Sequence, residues 1–194
     1  VLLTDGWGTD SRKRAVEKFE LNVEEMNKRH EKCWDVLESG KMTMDDYLNE
    51  VVFYQPQKFS KPEFLNFMFS QSIPLNGALE YFIQLKKANG LKVFALSNEA
   101  RELNAFRIQN YKLNELFDAY ISSCYVGLRK PDVKIYKMAC DVSQTSFANA
   151  IFVDDRISNI EVARNLGIPS LHYTGLDSAK EYFGKTGFKI TANG

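Results

Sequence analysis

From Leu91 onward, short apolar runs alternate with helical segments at a spacing that few folds can accommodate. Leu91-Lys92-Val93-Phe94-Ala95-Leu96 reads as a strand ending in Ser97-Asn98, and a helix from about Glu99 to Tyr111 follows. A short strand is expected at Ala119–Ser122. Pro131 opens a helix to about Asp141, and the apolar run Ala150–Val153 is the next strand. A helix from Ser158 to Leu166, stopped by Gly167, leads to a strand at Ser170–Tyr173. Strands joined by helices in this way run parallel, with right-handed crossovers and both sheet faces covered. The expected fold class is therefore α/β, with a Rossmann-like parallel sheet. In such sheets chemistry gathers at the carboxyl ends of the strands.

The same logic applies at the start of the chain. Val1-Leu2-Leu3-Thr4 is apolar, ends in Asp5, and breaks into the glycine-bearing Gly6-Trp7-Gly8. That pattern predicts a buried strand that delivers a carboxylate to the sheet's end, then a sharply bending loop.

Between the first strand and Leu91 the pattern is helical. Apolar positions from Ser11 to Ser39 recur at spacings near three and four, predicting two amphipathic helices broken near Asn22 and stopped at Gly40. Thr43 can cap a helix to about Tyr54, which Pro56 ends. Ser60-Lys61-Pro62-Glu63 reads as a capping box for a helix through Phe69, and another helix runs from Gly77 to Asn89. Phe64, Phe67, Met68 and Trp34 are spaced as helix core. The domain expectation is an α/β core formed by 1–10 and 90–194, with 11–89 inserted as a helical cap.

Charge excludes some partners. Twenty-five Lys and Arg balance 25 Asp and Glu, so nothing sequence-wide favours nucleic acid or an anionic membrane. No apolar run approaches the ~20 residues that span a bilayer. Cys33, Cys124 and Cys140 form no CxxC pair, which points to reduced thiols and a cytoplasmic setting. His30 and His172 are isolated and read as ordinary surface or core residues. Arg12, Lys13 and Arg14 read as a solvated helix start, with one of them able to reach a substrate anion. The oligomeric state has no sequence signature.

Four strand ends carry residues with chemistry. Asp5 can attack an electrophilic phosphorus or simply cap a turn. Asp154-Asp155, with Asp5, would make an oxygen-rich site for a hard cation such as Mg²⁺, or else a solvated acidic loop. Ser97-Asn98 offers a hydroxyl and backbone N–H groups to an anion, or an N-cap. Lys130 can neutralise a nucleophile and a phosphate, or lie solvated in its loop.

Their order, Asp, Ser, Lys, Asp-Asp, each at a strand end, resembles the motif series of the haloacid-dehalogenase-like (HAD) hydrolases. Leu96-Ser97-Asn98, Gly127-Leu128-Arg129-Lys130-Pro131-Asp132-Val133-Lys134-Ile135-Tyr136 and the stretch from Phe152 through Asp154-Asp155-Arg156 to Ile168 look like the glucose-1-phosphatase-like branch and the phosphatase domain of soluble epoxide hydrolases. The resemblance implies a phosphatase with a helical C1-type cap, acting on a small phosphorylated metabolite. It implies Asp5 as nucleophile and metal ligand, and Ser97 with Asn98 as phosphoryl-binding groups. Lys130 would steady nucleophile and phosphate. Asp155 would touch Mg²⁺ directly, Asp154 directly or through water, and the Trp7 backbone carbonyl would complete the set. Asn159 would help orient the lysine.

One position departs from this pattern. Where most phosphatases of the superfamily carry an aspartate that protonates the leaving oxygen, this chain has Trp7. General acid–base catalysis contributes roughly 10²–10⁴-fold, and indole cannot supply it. The departure leaves a slower phosphatase, a binding protein or a phosphotransferase in play, with dehalogenation behind them. Trp7 could also line the substrate site or pack beneath the cap.

Overall fold

The computed structural model describes residues 1–189. Four helices come first: α1 (Thr9–Phe19), α2 (Val23–Glu38), α3 (Met44–Val51) and α4 (Lys61–Ser70). The starts of α2, α3 and α4 are set by side chains that satisfy backbone donors left open there. Asn22 accepts from the Glu25 amide. Thr43 and Asp46 form a reciprocal capping box, and Ser60 accepts from the Glu63 amide with Pro62 in the first turn. Their apolar faces meet in one core around Phe64, whose ring lies 5.6 Å from Trp7 edge-on and 4.9 Å from Phe19. Ala100 and Leu103 join this core from outside the block.

The remainder alternates as expected. Helix α5 (Ala78–Asn89) is followed by β1 (Phe94–Ser97), α6 (Arg101–Asn110), β2 (Ala119–Ser122), the single turn α7 (Ser123–Val126) and α8 (Val133–Ser143). Strand β3 (Phe152–Asp154), α9 (Ile157–Asn165), β4 (Ser170–His172) and α10 (Leu176–Lys185) complete the described chain. β1 pairs parallel with β2, with Ser97 opposite Ser122, and β3 pairs parallel with β4, with Asp154 opposite His172. Two apolar clusters cover these strands. One joins Tyr81, Phe82 and Leu85 of α5 to Leu171, Tyr173 and Phe183; the other joins Ile121, Ile135, Tyr136, Ala163 and Ile168. At ~25 cal/mol per Å² of apolar surface buried, such clusters dominate the stabilisation of a domain this size.

The first segment differs from its expectation. Val1–Asp5 is not a strand between the parallel pairs; among the described residues its one bridge joins Leu3 antiparallel to Pro74. The Thr4 amide donates to the Ile73 carbonyl, the Leu75 amide donates to the Leu2 carbonyl, and the Thr4 hydroxyl donates to the Gln71 carbonyl. With its backbone groups taken by residues 71–75, this segment joins neither β1 nor β3 in a ladder. Val1 and Leu2 still pack on the α5 cluster. Helix α10 lies in a stretch where no element was expected, and the residues past 189 within the weakly patterned 186–194 tail lie outside the described residues. No described helix is long and apolar enough to cross a membrane.

Candidate active site

Asp154 ends β3 and is 4% exposed. Its Oδ2 accepts from the Lys130 ammonium at 2.6 Å. Its Oδ1 accepts from the Arg156 amide at 2.8 Å and from Asn159 Nδ2 at 3.0 Å. Burial alone would raise the carboxyl pKa, but the adjacent ammonium and these hydrogen bonds outweigh it and hold Asp154 below the usual carboxylate range. Asn159 is buried in the first turn of α9, and its side chain meets Asp154, through which it reaches Lys130.

Lys130 is gripped along its backbone as well. Asn98 Nδ2 donates to the Lys130 carbonyl and the Lys130 amide donates to Asn98 Oδ1, both at 2.8 Å. A side-chain amide can complement a backbone amide in this two-bonded way, which a carboxylate, with no proton to donate, cannot. The loop after β2 is thereby fastened to the end of β1. Ser97 is half-buried and its hydroxyl lies 3.3 Å from that of Ser122 across the β1–β2 pair.

Asp5 stands in the turn after the first segment, where the Trp7 amide donates to its carbonyl at 2.8 Å. A Cβ at Gly8 would lie 2.2 Å from Asp5 Oδ2, so the loop folds back close over this carboxylate and a side chain there would displace it. The Asp5 side chain is exposed, and Arg156 NH2 sits 3.3 Å from both of its oxygens. Sequence reasoning passed over Arg156, although it follows the Asp-Asp pair directly. No hydrogen bond or ion pair among the described residues joins Lys130 to Asp5.

Trp7 is not an open wall for substrate. Its side chain is 1% exposed, its Nε1 donates to the Tyr47 hydroxyl at 2.8 Å, and that hydroxyl lies 2.8 Å from His30 Nδ1. The Trp7 carbonyl accepts from Arg12 NH1 at 3.1 Å, so Arg12 turns inward while Lys13 stays on the surface. Arg14 binds Gln71 and Ser11. Asp155 is exposed, with its carboxylate 3.7 Å from the Val1 nitrogen and its carbonyl 3.1 Å from His172 Nε2.

Asp5, Asp154, Asp155 and the Trp7 carbonyl offer oxygen alone, the donor chemistry that suits a hard divalent cation. In kind, the set fits such an ion. In arrangement it does not form a ready cage: among the described residues no three His, Cys, Asp or Glu side chains are grouped to hold a metal. Asp154 and the Trp7 carbonyl each already hold a cationic side chain.

A family model described as haloacid dehalogenase-like hydrolase matches residues 5–167. A sesquiterpene phosphatase of Aspergillus oryzae is 35% identical over 89 residues, which are 45% of this chain and 45% of that protein. A drimenol cyclase of Aspergillus calidoustus is 28% identical over 156 residues, 78% of this chain and 29% of that protein. The chain thus spans less than half the length of either relative. A HAD family enzyme of Bacteroides thetaiotaomicron, solved in complex with magnesium and inorganic phosphate, superposes with a TM-score of 0.78 over 94% of both chains at 18% identity.

Proposed function

This chain belongs to the haloacid dehalogenase-like hydrolases, and on that premise we propose that it is a Mg²⁺-dependent phosphatase of small phosphomonoesters. The observation that carries the reading is Lys130, fixed by Asn98 through its backbone and by Asp154 through its ammonium, at strand ends in a chain whose Asp5 carboxylate is exposed beside Arg156. A free carboxylate with a guanidinium at its side is equipped to meet a phosphate dianion, because the cation offsets the repulsion between two anions. In this reading α1 to α4 serve as a cap over the core, while α5, placed by the sequence within the 11–89 insertion, packs with the core cluster of Leu171, Tyr173 and Phe183.

An Asp5 oxygen attacks phosphorus, a new P–O bond forms, and the bond to the ester oxygen breaks. The leaving oxygen takes its proton from water, because Trp7 has no acidic proton to give and is buried. Water then attacks phosphorus and displaces the Asp5 carboxylate, releasing inorganic phosphate. Ser97 and Asn98 bind the transferring group, and Lys130 and Arg156 offset its charge. Mg²⁺, when held by Asp5, Asp154, Asp155 and the Trp7 carbonyl, would supply further charge neutralisation.

The test is phosphate release from a panel of phosphorylated metabolites, prenyl phosphates among them in view of the sesquiterpene phosphatase relative, with Mg²⁺ or EDTA. The expected result is turnover that Mg²⁺ supports, EDTA removes and Asp5→Asn abolishes. Turnover no greater than that of the Asp5→Asn protein on every compound would replace this reading with a binding or regulatory role. A phosphorylated Asp5 that accumulates without release would indicate a phosphotransferase.

A further inference from the structure

Arg129 immediately precedes Lys130, and its guanidinium points the other way, into the helical block. Its Nε lies 2.8 Å from Glu38 Oε2, NH2 binds the same oxygen, and NH1 lies 2.7 Å from Asp35 Oδ1. Both carboxylates belong to the last turn of α2. The Glu38 side chain is 8% exposed and that of Arg129 25%, so this pair is largely desolvated, while the Asp35 partner is 73% exposed and solvated.

The same end of α2 is fastened at two further points. The Ser123 hydroxyl donates to the Glu38 carbonyl at 2.6 Å and accepts from the Glu99 amide at 3.0 Å, which brings the end of α2 to the loops after both β1 and β2. Gly40 comes so close that a Cβ there would lie 2.0 Å from the Cys124 carbonyl oxygen. Lys130 is thus flanked on one side by Asn98 of the core and on the other by a residue held from the helical block.

A buried ion pair is a poor way to gain stability alone, since desolvating the charges offsets most of their attraction and an apolar pair would serve as well. Its distinguishing property is directional. A planar guanidinium whose Nε and NH2 converge on one Glu38 oxygen while NH1 meets Asp35 accepts few geometries and so sets register. The lysine it neighbours carries a charge whose placement matters.

We propose that Arg129, held by Glu38 and Asp35, is a positioning residue that ties the location of Lys130 to the docking of the helical block on the core. This rests on the phosphatase reading for its kinetic consequence but not for its structural one. The two are separated by measuring amide exchange at Lys130 alongside turnover.

The variants are Arg129→Lys, which keeps the charge and loses the fork, Arg129→Met, which loses both, and Glu38→Gln. The expected result is that Arg129→Met lowers kcat about tenfold or more with KM changed far less, and that Arg129→Lys recovers part of the loss. Exchange at the Lys130 amide, which donates to Asn98, should accelerate about tenfold in Arg129→Met and Glu38→Gln while amides of α9 keep their protection. A folded Arg129→Met or Glu38→Gln protein with unchanged exchange at Lys130 would overturn the proposal. So would acceleration spread evenly over the chain, which marks general loosening. If the unmodified protein turns over no phosphoester, the exchange result decides the proposal by itself; if Arg129→Met does not fold, Arg129→Lys and Glu38→Gln decide it in the same way.

Discussion

The indole nitrogen of Trp7 and the hydroxyl of Tyr47, forty residues apart in the chain, share a buried 2.8 Å hydrogen bond. Tyr47 is fully buried, and the oxygen that accepts from Trp7 also meets His30 Nδ1. A hydroxyl that accepts from the indole still has its one proton to give, and it can give it to Nδ1 when His30 carries its own proton on Nε2. The residue that departs from the phosphatase pattern is therefore the anchor by which the loop after Asp5 is tied to α2 and α3.

That anchor predicts how Trp7 responds to substitution. Trp7→Ala should cost about 3–5 kcal/mol, the range for truncating a buried large aromatic. Tyr47→Phe leaves the indole N–H without its acceptor and should cost about 1–3 kcal/mol. Trp7→Asp, made to restore the missing acid, should be less stable than either and gain no turnover, since it places a carboxylate in the space of a 1% exposed indole. Denaturant titration of the four proteins measures the series.

Acid should weaken the fold through His30. Burial, with a smaller contribution from the Arg12 guanidinium, lowers its pKa from the ordinary 6.5 to about 3. The folded state resists the proton that the unfolded chain accepts, so stability is intact above the unfolded value and falls as pH drops below it. A drop from neutrality to pH 5.5 should remove about 1.4 kcal/mol from this source, one pKa unit's worth. The loss continues toward the folded value. In a His30→Gln protein the same interval should show a flatter stability curve by denaturant titration.

Asp154 contributes a second acid-sensitive element at lower pH. Its pKa is held down in the folded state, so the stability it confers is present above the ordinary carboxylate value and disappears as pH falls through the folded one. Lys130→Met removes the ammonium and leaves a buried carboxylate with only its two remaining donors, Arg156 N and Asn159. The expected cost is about 3–5 kcal/mol at neutral pH. The Asp154 titration, followed by NMR of its carboxyl carbon, should move upward.

Gly40→Ala should destabilise the junction between α2 and α7. Gly40 has φ +70°, a left-handed conformation that costs a side chain roughly 1–2 kcal/mol, and the new Cβ would collide with the Cys124 carbonyl. Because the obstacle is backbone, no rotamer relieves it. Thermal unfolding compared with a control such as Asn49→Ala, on the exposed face of α3, measures the effect.

What the sequence determined by itself was mostly local. The break near Asn22, caps at Thr43 and Ser60, the stop at Gly40, and apolar runs bounded by turns act over a few residues, so α1 to α6, α8, α9 and β1 to β4 fall near their expected places. The residues at the ends of β1 and β3 were legible for the same reason, since strand direction places them at one edge. Tertiary structure decided which partners those residues took. Val1–Thr4 has a strand's apolar pattern, yet residues 71–75 claim its backbone groups; which segment wins such a competition depends on contacts that no local pattern carries. Trp7 could have faced substrate or core, and Tyr47 and Phe64 settled it as core. Arg156 beside Asp5 and Glu38 on Arg129 join positions 151 and 91 residues apart. Charged side chains on surface-like positions read as solvated until the fold brings opposite charges within reach and excludes the water between them.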